Sequence, residues 1–140
     1  MTPSTPLSDL CQLFYLSRSL CSPGEVNHIL VSARRHNLRR GVTGLMLFSG
    51  GHFAQLLEGP PEALRETMAA IDADTRHTAV TRLVEGRMAQ RRFKDWSMAL
   101  FEAPGADDLI QQILAGPPIA PERAQRVMER MLAPYQQEAR

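Results

Sequence analysis

Two apolar runs joined by Ser49-Gly-Gly-His52 constrain this chain more than any other feature. Val42 to Phe48 and Phe53 to Glu58 have the character of strands, and the four residues between them leave room only for a tight hairpin. Glycines supply the positive φ that such a turn needs. The sequence around the hairpin supplies the rest of a mixed fold. Cys11-Gln-Leu-Phe-Tyr-Leu-Ser17 is apolar and aromatic enough for a strand. Val80 to Arg87 reads as a fourth strand, and Phe93 to Glu102 contains a fifth.

Helical segments fall between these strands. Ser22-Pro23-Gly24-Glu25 opens a helix, with serine at the cap, proline in the first turn and glutamate three residues after the serine. Val26, Ile29, Leu30, Ala33 and Asn37 then follow helical spacing to an end near Gly41. Pro60 and Pro61 launch a second helix with Leu64, Met68 and Ile71 inward. The order β-α-β-β-α-β-β predicts an α+β, ferredoxin-like sheet with two helices on one face and one extra strand, the first and third strands being central neighbours. After Pro104 two short amphipathic helices follow, patterned by Leu109, Ile110, Ile113 and Leu114 and by Val127, Met128, Met131 and Leu132. The expected organisation is a flexible N-terminus over 1–10, a folded domain over 11–103 and a C-terminal helical extension over 104–140. The helical stripes suit packing back on the sheet and an interface.

A net charge of +1 argues against nucleic-acid binding as the main activity. Nothing approaches membrane-spanning length, and the first ten residues lack the basic start and apolar run of a signal peptide. Cys11 and Cys21 have no metal-type spacing and read as free thiols in a reducing cytoplasm. The histidines show no ligand spacing, so no metal is expected. Asp72 and Asp74 resemble paired carboxylates but fit a helix end. The run from Arg34 to Arg40 suits a solvated helix end opposing the dipole's negative pole, with contact to a phosphate as the sharper reading. No nucleophile–base arrangement is evident.

Polar residues on inward faces carry the functional signal, because buried hydroxyl and amide groups are costly unless something meets them. Strand alternation puts Leu13, Tyr15 and Ser17 on one face of the first strand, and Phe53, Gln55 and Leu57 on one face of the third. Trp96 and Met98 are expected to share one face of the fifth. Asn37 lies on the inner stripe of the first helix, with Arg35 and Arg39 pointing about the opposite way. Tyr15 and Gln55 are thus expected within hydrogen-bond reach, under the helices.

Several spaced landmarks add to this pattern: Tyr15-x-Ser17, Ala33-Arg34-x-x-Asn37, Val42-Thr43-Gly44, Phe53-x-Gln55-x-x-Glu58-Gly59, Asp74-x-Arg76-His77 and Arg92-Phe93-x-x-Trp96-Ser97-Met98. Over residues 11–103 the chain resembles the BLUF family of blue-light sensors that use FAD. Valine stands before Thr43 where isoleucine is commoner. The resemblance implies non-covalent FAD as cofactor, with Tyr15 as electron and proton donor to the excited flavin and Gln55 as the amide bridging that tyrosine and the ring. It implies that Asn37 holds the ring's polar edge, helped by Arg76, and that His36 and His77 border the cofactor. Ser17, Trp96 and Met98 would form the surroundings whose arrangement changes with light.

The chemistry of the side chains agrees. An amide carries an acceptor and a donor on one plane, so rotation or tautomerisation exchanges which partner receives a proton at constant charge. The expectation is a short stand-alone photoreceptor, not an enzyme, that signals through a protein partner or a change in oligomeric state, without nucleic acid or membrane. Two alternatives stay open: a ferredoxin-like protein-binding module that has lost light sensing, and a flavin redox enzyme working in the dark.

Overall fold

In the computed structural model, which describes residues 9–136, the hairpin forms where the glycines put it: Gly50 has φ 101° and joins β2 (Thr43–Phe48) to β3 (His52–Gly59). β1 (Cys11–Ser19) lies antiparallel against the other side of β3, and β4 (His77–Arg87) antiparallel against β1. β5 (Ala99–Glu102) adds parallel to β2. The sheet order is β4-β1-β3-β2-β5, so the first and third strands are neighbours inside the sheet, as the ferredoxin-like reading requires. β4 begins three residues before the expected Val80. The expected flexible segment 1–10 falls, for residues 1–8, outside the described residues.

α1 (Pro23–Arg40) follows β1, and the Glu25 side chain accepts the Ser22 N–H at 2.8 Å. α2 (Pro61–Ala73) follows β3, with Leu64, Thr67 and Met68 buried. These helices cover one face of the sheet, where Leu13, Tyr15, Met46, Phe53 and Leu57 meet Val26, Leu30, Leu64 and Met68. After a single turn at Pro104–Ala106, α3 (Asp107–Ala115) and α4 (Pro121–Gln136) cover the opposite face. There Phe14, Leu16, Leu45, Ala54 and Leu56 pack on Ile110, Ile113, Met128 and Leu132. Of the expected α3 stripe, Leu109 is a correction: it is 37% exposed, on the flank the short helix turns away from the sheet.

Gly44 is required by close packing of strands. A Cβ there would stand 1.9 Å from the Leu56 carbonyl oxygen, so no side chain is tolerated at this point of the β2–β3 pairing. No described helix is long and apolar enough to cross a membrane.

Candidate flavin site between two helices and the sheet

Register decides the centre of the site. Tyr15 and Gln55 are directly opposed across the β1–β3 ladder, and their side chains rise on the face under α1 and α2. Both are 3% exposed. The Tyr15 hydroxyl donates to Gln55 Oε1 in a short contact, and Gln55 Nε2 donates to Met98 Sδ at 3.5 Å. The amide nitrogen keeps a second hydrogen for whatever enters the adjoining space. Burial holds the Tyr15 phenol well above the ordinary tyrosine range, and the negative charges of Asp74 and then Asp72 add to it. The phenol is therefore a neutral donor at physiological pH.

That space is a cavity of about 320 Å³ between α1, α2 and the sheet, within the range of small-molecule sites. Ile29, Ala33, Met46, Phe53, Ala70 and Ile71 make its apolar walls, while Tyr15, Asn37, Gln55, His36, Arg76 and His77 supply polar edges. Asn37 is 1% exposed and its Nδ2 donates to the Ser97 carbonyl at 2.7 Å. One turn earlier, Arg34 Nε donates to the Met98 carbonyl at 2.7 Å. α1 therefore holds the main chain that carries Met98 over Gln55.

The histidines bridge elements. His77 Nε2 faces the Ile71 carbonyl at 2.6 Å and must donate to it, since a carbonyl only accepts. In the neutral ring, Nδ1 then accepts from the Ser17 hydroxyl at 2.9 Å. Its ring meets Tyr15 edge-on, with centroids 6.2 Å apart. Thr67 Oγ1 donates to the Ala63 carbonyl at 2.7 Å, so it accepts from His36 Nε2–H at 3.0 Å, which links α1 to α2. Burial, then the nearby Arg40, pushes the His36 pKa down. Arg76 grips Asp74 through two donors, and that hydrogen bonding holds the Asp74 carboxyl below its ordinary value.

Most residues singled out in the sequence converge here. Tyr15, Asn37, Gln55, His36, Arg76 and His77 line the cavity. Ser17, fully buried, reaches it through His77, and Met98 through Gln55. Trp96 is the correction. It does not share a strand face with Met98: both precede β5, so alternation does not govern them. Met98 packs with Tyr15 and Met46 under α1, whereas Trp96 stacks on Phe93 at 5.2 Å and meets Phe101 at 5.7 Å on the α3–α4 side. The sequence reading missed the placement of Thr67 and Asp74 on the cavity and of Arg34 on the Met98 carbonyl. For Arg34 a signal existed: it stands three residues before Asn37, the spacing that puts two side chains on one flank of a helix.

A flat heteroaromatic ring with a polar edge fits this donor set: apolar walls for its faces, carboxamides and a phenol for its edge.

A family model described as BLUF, sensors of blue-light using FAD, matches residues 10–99. The chain is 36% identical over 91 residues to the blue light- and temperature-regulated antirepressor BluF of Escherichia coli K12, a match covering 64% of this chain and 23% of that protein. Against the photoactivated adenylate cyclase subunit beta of Euglena longa it is 33% identical, covering 68% of this chain and 12% of that one. The chain thus spans less than a quarter of the length of these curated relatives. Among solved structures, the dark state of the BLUF protein BlrB superposes with a TM-score of 0.74 and 30% identity, covering 91% of this chain and 98% of that one.

Proposed function

Because the chain belongs to the BLUF family, sensors of blue light using FAD, we propose that it is a blue-light photoreceptor that holds FAD non-covalently between α1 and α2 and passes its signal to a protein partner. The observation that carries this reading is the buried phenol–carboxamide contact at the wall of a ligand-sized cavity. When bound, a flavin supplies a light-activated acceptor for one electron and one proton. Tyr15 is the donor of both and takes both back. Gln55 is the element that does not return at once: its carbonyl accepts from Tyr15 in the resting arrangement, and turning or tautomerising the amide exchanges its donor and acceptor ends.

The other residues hold this pair and the ring. Asn37 and Arg76 serve the polar edge, and His36 and His77 border the cofactor. Ser17 holds His77 Nδ1 beside Tyr15, the tautomer being set by the Ile71 carbonyl. Met98 lies against the Gln55 amide and feels its change first, and Trp96 reports it on the far face. We take residues 11–103 as the flavin-binding unit and 104–140 as the helical extension. The output is a conformational signal and not turnover, in a cytoplasm whose reducing conditions suit the free thiols of Cys11 and Cys21.

The test is the visible spectrum of the purified chain before and after blue light, with the flavin released on denaturation identified by chromatography. A yellow protein that releases FAD and undergoes a small, reversible red shift is expected. A colourless protein overturns the reading in favour of a binding module. Dark turnover with a nicotinamide cofactor and no red shift overturns it in favour of a redox enzyme.

A further inference from the structure

Gln55 stands midway between two polar clamps on its own strand. Three residues before it, His52 is buried and projects to the opposite face, toward α3. His52 Nδ1 lies 2.9 Å from Asp107 Oδ1 and Nε2 lies 2.8 Å from Gln111 Oε1. The same Asp107 oxygen accepts the Ser49 hydroxyl at 2.5 Å and the Gly51 N–H at 3.1 Å, so one α3 side chain gathers the whole hairpin turn. Three residues after Gln55, Glu58 is completely buried on that same opposite face. Its Oε2 accepts the Arg92 N–H at 2.6 Å, and its Oε1 accepts the Phe93 N–H at 3.0 Å. The Arg92 guanidinium continues into Glu129 on α4 through two contacts.

We propose that β3 couples Gln55 to the C-terminal helices, with His52–Asp107 and Glu58–Arg92–Glu129 as its two points of attachment. His52 and Glu58 are positioning residues in this scheme; neither lines the cavity. The inference rests on the photoreceptor reading above. It answers a question of magnitude which that reading leaves open. One rearranged hydrogen bond is worth a net ~0.5–1.5 kcal/mol, whereas moving a partner from mostly bound to mostly free takes about 5.5 kcal/mol. A strand buried along its whole length moves as a unit, because its ladders on both sides and its packing resist local bending. A shift that accommodates Gln55 therefore reaches both clamps together, and their several hydrogen bonds set α3 and α4 against the photochemistry.

The test is amide hydrogen exchange of the flavin-loaded full chain, in the dark and under blue light, for wild type, Asp107→Ala, Glu129→Ala and the double variant. Neither substitution touches the cavity. In wild type, light is expected to change exchange over residues 107–115 and 121–136. In the double variant the red shift persists, that exchange difference disappears, and dark recovery slows by about fivefold or more, the lower end of ordinary coupling. Asp107→Asn, which keeps the Oδ1 acceptor, is expected to restore the response in α3, which a merely destabilised helix would not do. Should the double variant fail to fold, the single variants decide, each losing the response in its own helix. A red shift with unchanged light-induced exchange in the variants, or no exchange change in wild type, overturns the coupling while leaving the photoreceptor reading intact. Absence of the red shift in wild type overturns that reading itself.

Discussion

On the face of the sheet covered by α3 and α4, Phe14, Leu16, Leu45 and Leu56 meet Phe93, Ile110, Met128 and Leu132 with almost nothing exposed. On the face covered by α1 and α2, the same strands end at a cavity of about 320 Å³ edged by a phenol, two carboxamides and two imidazoles. The strands are shared, so the difference lies in alternate residues: at the middle of β3, Ala54 and Leu56 build an apolar core between the polar ends His52 and Glu58, while Phe53 and Gln55 line the site. Stability and function are thereby separated across a single layer of backbone. The α3–α4 face contributes extensive apolar burial, which lets the other face keep a cavity that costs stability.

The strongest way to break this comparison is to remove the chemistry from one face while leaving the other untouched. Gln55→Leu is expected to bind flavin and lose the light-induced red shift entirely in difference spectra; Tyr15→Phe is expected to lose ordinary photocycling. A normal shift in the leucine variant would disprove the amide switch.

Next in size is a cavity cut into the dry face. Met128→Ala should lower unfolding free energy by about 2–5 kcal/mol in denaturant titration, whereas Ser32→Ala on the cavity wall should stay within about 0.5 kcal/mol. Equal losses would mean that the two faces are packed alike.

Adding atoms sharpens the contrast further. Ala54→Leu, on the dry side of β3, should cost about 1–3 kcal/mol by overpacking. Ala33→Leu points extra volume into the cavity, so it should impair flavin binding in a spectroscopic titration while leaving the melting temperature of the flavin-free chain nearly unchanged.

The smallest effect expected is one of pH. Because burial raises the Tyr15 pKa in the fold, the unfolded chain loses that proton first. The resulting stabilisation is complete below the unfolded value and declines as pH rises past about 10. The red shift should accordingly survive alkaline titration for as long as the chain remains folded, and Tyr15→Phe should flatten this part of the stability profile.

Much of this arrangement was legible in residues. Alternation in Cys11–Ser17 and Phe53–Glu58, with the ferredoxin-like order that makes these strands neighbours, put Tyr15 and Gln55 on one face and within reach, because a two-residue repeat fixes the face of each side chain; their direct opposition comes from the β1–β3 register. Asn37 followed from helical spacing. Trp96 and Met98 did not, because they lie in a loop whose side chains obey no period; whether each turns to the cavity or to the α3–α4 core depends on which contacts are available there. Thr67 was hidden for a related reason, since its meaning comes from His36 on α1 across space; Asp74 is held by Arg76 two residues on, and only its place on the cavity needed the fold.

Local order, then, was written into the chain: which segments are strands or helices, which face of each is polar, and that a phenol and a carboxamide share the inward face, all consequences of short-range periodicity and turn chemistry. Only the folded molecule decided how far the helices stand from the sheet, which loop residues close over Gln55, and that His52 and Glu58 tie the same strand to α3 and α4. Those are contacts between residues separated by dozens of positions, and no local pattern records them, because they arise from the packing of whole elements against one another.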